Sequence, residues 1–176
     1  MSSSRIQEYT RKKLKMNVSK LTIKRLSQVM GQFATGLTVV TTQLEDQVFA
    51  QRIHSFTAVS MEPALVLFCL PKTSAAIENL KQSKHFAINV LPIKLREKVS
   101  MNASVEERFG ENLDREANTQ SPIFQDTLAW LDCKLYTVQD GGDHYIFIGK
   151  VLDLQYQFEN SPLLHFTGKF QNILEV

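Results

Sequence analysis

The chain has 176 residues, 43% hydrophobic and 22% charged, which is enough for one domain with a sizeable core and too short for two. Lys and Arg outnumber Asp and Glu only by 20 to 18, so the body offers no broad basic field for nucleic acid, and its near-neutral balance permits self-association. No apolar stretch approaches the roughly 20 residues of a membrane span, and the basic, polar N-terminus lacks the apolar segment of a signal peptide; a cytoplasmic protein with no membrane partner is expected.

Residues 1–20 carry Arg5, Arg11, Lys12, Lys13, Lys15 and Lys20 against the single acid Glu8. With little apolar periodicity, this stretch reads as a solvated arm ahead of one domain over residues 21–176. From Thr22, the apolar residues Ile23, Leu26, Met30 and Phe33 recur at helical spacing. They predict a helix with its stripe in the core, ending before Gly36.

Beyond Gly36 seven β-rich runs follow: Leu37–Thr42, Phe56–Ser60, Leu65–Leu70, Phe86–Leu91, Trp130–Val138, Tyr145–Leu154 and Leu164–Phe170. So many runs in this length predict an antiparallel barrel. Short helices interrupt them. Thr73 or Ser74 can cap one running through Leu80, Ile93–Met101 has a small apolar face, and Ser104 with Glu107 matches a capping box before Phe109 and Gly110. The polar stretch Asn112–Gln125, broken by Pro122, reads as loop. Cys69 and Cys133 lie singly within apolar runs, without the spacing of a zinc site, redox dithiol or iron–sulfur cluster, and read as buried hydrophobes; no metal site is expected.

One polar turn stands out. Gly141, Gly142, Asp143 and His144 open onto the apolar run Tyr145–Val151 and place an imidazole at a strand mouth. Glycines allow positive φ and close ligand approach, and Asp143 can hold His144 in one tautomer. The same residues also suit an ordinary solvated hairpin turn. Lys72, Thr73 and Ser74 offer a positive charge and two hydroxyls where a helix begins, a composition suited to a phosphate or to a plain helix cap.

Taken in order, Gly31-Gln-Phe-Ala-Thr-Gly-Leu-Thr-Val-Val-Thr-Thr42, Ser55-Phe-Thr-Ala-Val-Ser60, Phe86-Ala-Ile-Asn-Val90, Leu128-Ala-Trp-Leu-Asp-Cys133 and Gly141-Gly-Asp-His-Tyr-Ile-Phe-Ile-Gly149 resemble the flavin reductase-like family of FMN-binding split barrels. The resemblance spans roughly Leu26 to Gln171. It implies a mainly β fold with flanking helices, a six-stranded antiparallel Greek-key split barrel that forms a homodimer with flavin near the interface. It also implies an NAD(P)H-dependent reductase of FMN or FAD that can supply reduced flavin to a partner monooxygenase. Carried over residue by residue, Arg52, Ile53, His54, Ser55, Phe56, Thr57 and Ser60 would border the isoalloxazine. Lys72, Thr73 and Ser74 would hold its phosphate, and Gly142, Asp143 and His144 would orient NADH or NADPH.

The segment Ala50-Gln51-Arg52-Ile53-His54 departs from the family pattern, with Arg52 where Thr is usual, Ile53 where Ala is usual and His54 where Asn is usual. Arg52 can stabilise an anionic reduced flavin, or Arg52 and Ile53 can crowd the ring. Ala75 and Ala76 likewise replace an arginine and a hydroxyl. The alternative to a reductase is therefore a split barrel whose pocket, rebuilt around Arg52, His54 and His144, binds or transforms another small molecule without flavin. His165 reads as a structural strand histidine.

Overall fold

A computed structural model describes residues 22–100, 113–114, 118–158, 161–171 and 173. The chain divides into two compact units, Met1–Phe33 and Ala34–Val176. In the first, helix α1 (Ile23–Met30) starts at Thr22, whose Oγ1 accepts the Arg25 N–H at 3.2 Å, and stops at Gly31 rather than at Gly36. None of its residues is buried, and Ile23, Leu26 and Met30 stay exposed. The expected core stripe is therefore amphipathic in sequence but exposed. The basic arm and the Ser104–Gly110 capping box lie outside the described residues.

The second unit is built on seven strands: β2 (Thr38–Leu44), β3 (Gln47–Ile53), β4 (Thr57–Met61), β5 (Ala64–Pro71), β6 (His85–Val90), β9 (Ala129–Gly141) and β10 (His144–Tyr156). They form one antiparallel sheet in the order β3-β2-β6-β9-β10-β5-β4. Among the described residues no ladder joins the edge strands β3 and β4, so a seven-stranded sheet stands where six barrel strands were expected. The added strand is β3, whose Gln47, Gln51 and Arg52 interrupt the apolar pattern that marks the others. The run Leu164–Phe170 is a hairpin, β11 (Leu164–Phe166) and β12 (Lys169–Gln171), turning through Gly168 at φ +78° and joined to β1 (Thr35–Gly36).

Inward positions of the long strands carry the core. Phe68, Phe86 and Phe147 interlock, with the Phe68 and Phe147 rings stacked at 5.3 Å. Helix α2 (Ala76–Ser83) lays Ala76, Ile77 and Leu80 against them. Its N-terminus has no side-chain cap on Ala75; instead Ser74 Oγ accepts the Ala76 N–H at 3.3 Å, which keeps the expected capping residue one step further out. A second cluster joins Leu37, Val39, Leu91, Phe124 and Leu163 to Leu95 and Val99, from a 3-10 turn (Ile93–Leu95) and helix α3 (Arg96–Ser100). Such interdigitated aromatics are worth about 0.5–1.5 kcal/mol per pair beyond their buried area.

The stretch expected to be loop contains a short ladder, β7 (Leu113–Asp114) with β8 (Ile123–Phe124). Buried Asn89 pins it: its carbonyl accepts the Phe124 N–H at 2.8 Å, while its amide donates to Val39 O at 3.2 Å and Thr41 Oγ1 at 3.0 Å. Side-chain bonds from a neighbouring strand thus override the loop-like composition. Cys133 is buried as expected and its thiol is pushed up to about 12 by desolvation, whereas Cys69 is only half-buried.

Candidate functional site

Strand β5 organises the site. Its Pro71 sits opposite His144 in the β5–β10 ladder, and its end runs straight into Lys72, Thr73 and Ser74 before α2. The β9–β10 hairpin turns through Gly142 and Asp143, with Gly141 paired to His144 and Gly142 at φ +84°. The turn and the β5 end hold each other twice over. Lys72 donates its main-chain N–H to Asp143 O at 2.9 Å, and its ammonium lies 2.5 Å from Asp140 Oδ2. Asp140 Oδ1 in turn accepts the Gly142 N–H at 3.0 Å.

The electrostatics follow from these bonds. The Lys72 ammonium, seconded by the Gly142 N–H, holds the Asp140 carboxyl below its usual range, and Asp140 raises the Lys72 pKa. His144 Nδ1 lies 2.7 Å from Asp143 Oδ1, and this bond is the chief reason the Asp143 carboxyl is held low. An ionised carboxylate only accepts, so Nδ1 carries the proton and Nε2 takes no part in that bond. Tyr145 adds a π-face flanked by two cations, Lys72 Nζ at 5.1 Å and Lys81 Nζ at 4.7 Å from the ring centre.

The segment expected to border a flavin ring splits in two. Ser55 Oγ accepts the Cys69 N–H at 2.8 Å and lies 3.3 Å from Cys69 O, so it staples the segment to β5. His54, Ser55 and Phe56 stand between β3 and β4, outside both ladders, so their main-chain groups are not committed to strand pairing. Thr57 pairs opposite Leu67, and Ser60 follows a β-bulge opposite Leu65. Phe56 packs on the core, and Ile53 lies within it at 3% exposure. Ile53 therefore does not crowd a ring; its bulk replaces core volume.

Arg52 and His54 turn instead to a second cluster. The Arg52 guanidinium donates to Val99 O at 2.7 Å, and the His54 ring stacks on His165 with centroids 4.2 Å apart and planes 24° off parallel. Sequence reasoning missed His165. No spacing signal links it to His54, which the β11–β12 hairpin brings alongside. His144 and Lys72–Ser74 thus come together around β5, while Arg52 and His54 form a different constellation. Among the described residues no group of His, Cys, Asp and Glu is arranged to hold a metal ion.

Residues 30–174 match the model of the flavin reductase like domain. The chain is 37% identical over 148 residues to the reductase subunit HsaB of a flavin-dependent monooxygenase from Mycobacterium tuberculosis, covering 82% of this chain and 79% of that one. It is 36% identical over 144 residues to a flavin reductase of Pseudomonas putida, covering 81% and 85%. Among solved structures, the Streptomyces globisporus NADH:FAD oxidoreductase SgcE6, in complex with NAD and FAD fragments, superposes with a TM-score of 0.79 at 28% identity, over 89% of this chain and 98% of that one. The chain belongs to the flavin reductase-like family, as its five motifs imply. Its donor set fits a flavin: two hydroxyls and an ammonium stand before α2, and uncommitted main-chain groups at residues 54–56 suit a polar ring edge.

Proposed function

We propose that this protein is a reductase that uses NADH or NADPH to reduce FMN or FAD, and that it serves as the reductase component for a partner monooxygenase. The observation that carries the reading is the bond from Lys72 N–H to Asp143 O. It draws a phosphate-type corner and an imidazole-bearing turn to one end of β5. Lys72, Thr73 and Ser74 bind the flavin phosphate, and the main chain at His54–Phe56 meets the polar edge of the ring. His144, oriented by Asp143, positions the pyridine nucleotide through Nε2. When bound, the flavin supplies the hydride-accepting ring, and neither a nucleophile nor a protein general acid is needed. The protein's own contribution is alignment, because the two reacting atoms must approach within about 3–3.5 Å.

Within the same reading the working unit is a homodimer in which the sheet closes as a split barrel. Supporting it, Tyr136, Leu152, Leu154, Tyr156 and Phe158 stay exposed along β9, β10 and the residues just beyond. Apolar patches of this kind are covered in most soluble assemblies.

The test is spectrophotometric. Purified protein mixed with NADH should oxidise it only when FMN or FAD is present. Absence of flavin-dependent oxidation with either NADH or NADPH would overturn the reading.

A further inference from the structure

A cleft of about 350 Å³ opens between β3 and the β11–β12 hairpin, lined by Gln51, Arg52, His54, His165, Gly168 and Phe170. We propose that this cleft is an anion-binding subsite that takes a phosphate or carboxylate group of a small ligand between Arg52 and the His54–His165 stack.

The charge character of the lining carries the assignment. Among the described residues, every ionisable side chain lining the cleft is basic, and no carboxylate is among them. Arg52 is pre-positioned: one of its five N–H donors is anchored to Val99 O, which orients the planar fork without neutralising it. His165 is held from behind by an edge-on contact with Phe170 at 6.3 Å, and Gly168 has nothing within 4 Å of the place a Cβ would occupy, so the mouth stays open. A metal ion fits poorly here. Rings stacked nearly parallel do not converge their nitrogens on one point, and the guanidinium repels a cation.

An anion also resolves an electrostatic conflict built into the stack. Partial burial, the facing His165 and the adjacent Arg52, in that order, hold the His54 pKa below its usual value. The charged groups acting on it thus come from its own segment, as Arg52, and from the opposing hairpin, as His165, and all are cationic or potentially so. A bound oxyanion compensates the field and favours proton uptake by the His54 imidazole. Affinity should therefore rise as pH falls through the histidine range.

The inference does not need flavin reduction to be correct. The histidine ring resonances of the full chain are followed against pH with and without inorganic phosphate, assigned with His54→Asn and His165→Phe. Phosphate should raise the apparent pKa of His54 by about one unit. Arg52→Gln should weaken phosphate roughly tenfold, as expected for loss of a charge-assisted bond, and Arg52→Lys should recover part of that loss. Identical titrations with and without phosphate, or an Arg52→Gln response equal to wild type, would overturn the proposal. FMN against riboflavin and NADPH against NADH then name the source of the group. A response to FMN and not riboflavin moves the flavin phosphate here from the Lys72–Ser74 corner, and one to NADPH and not NADH assigns it to the ribose phosphate. A response to inorganic phosphate with both pairs alike assigns it to a free anion. Failure of flavin-dependent NADH oxidation with the histidine response intact would refute the reductase reading and leave this one standing.

Discussion

His144 and Ile53 show how differently single side chains behave once folded. His144 projects from a turn that fixes both its backbone and its Nδ1. His144→Ala should lower NAD(P)H use by about one to two orders of magnitude, roughly 1.4–2.8 kcal/mol in kcat/KM, with flavin affinity unchanged. Steady-state kinetics beside a flavin titration check it, and equal activity would return the histidine to a plain turn residue. Ile53, by contrast, sits among Val40, Val66 and Phe68. Ile53→Ala should therefore open a cavity and cost about 2–4 kcal/mol in a urea melt, rather than make room for a flavin. The sequence shows which residue types depart from the family pattern at 52–54. It does not show that alternation in β3 sends Ile53 inward and Arg52 out, because β3 itself is not legible there. Its glutamines and arginine hide the period of two on an edge strand.

At the level of elements, the strands with continuous apolar runs were legible, since β5, β6, β9 and β10 lie in the middle of the sheet or against the aromatic cluster. The β7–β8 ladder was not, because buried side chains far along the chain help specify it, Asn89 across 35 residues and Thr41 through Pro122 O. The helix α1 stripe had the right period yet stays exposed; periodicity reports amphipathicity and is silent about what meets the apolar face. Packing between β10 and β6 gives a sharp test. A Cβ on Gly149 would fall 2.3 Å from Phe86 Cζ, inside the core. Gly149→Ala should destabilise the fold by about 1–3 kcal/mol through overpacking, read as a lower urea midpoint with an unchanged slope. The hairpin turn has its own pH signature. The Asp143 carboxyl is held low in the folded state, chiefly by His144. Its contribution is complete above the ordinary carboxylate pKa and disappears as pH falls through the depressed folded value. Amide exchange at Lys72, whose N–H is bonded to Asp143 O, should accelerate relative to core amides over that acidic range.

On the scale of the whole molecule, the motifs were enough to place the chain in its family, because their order and spacing along the sequence survive where individual residues do not. The assembly was less legible, since an exposed Leu154 or Tyr156 looks in sequence like any other strand residue. Light scattering at micromolar concentration should give twice the chain mass, and Leu154→Glu with Tyr156→Glu should yield a monomer that retains its β-sheet circular dichroism. A wild-type monomer would remove the homodimer from the proposed function.

Lys72 grips the β9–β10 turn with its main chain and its ammonium at once, and the second grip is the one a phosphate can take away. Drawing the ammonium toward a ligand loosens Asp140, and Asp140 is what steadies the Gly142 N–H two residues before the imidazole. Under the proposed function, an occupant of the phosphate corner is thereby felt by an occupant of the turn. Linkage requires that influence to be mutual: whatever factor flavin imposes on the affinity for the pyridine nucleotide, the nucleotide imposes on flavin. On that reading, Lys72→Met should bring the factor close to one, so that two ligands expected to bind in conversation would bind as strangers.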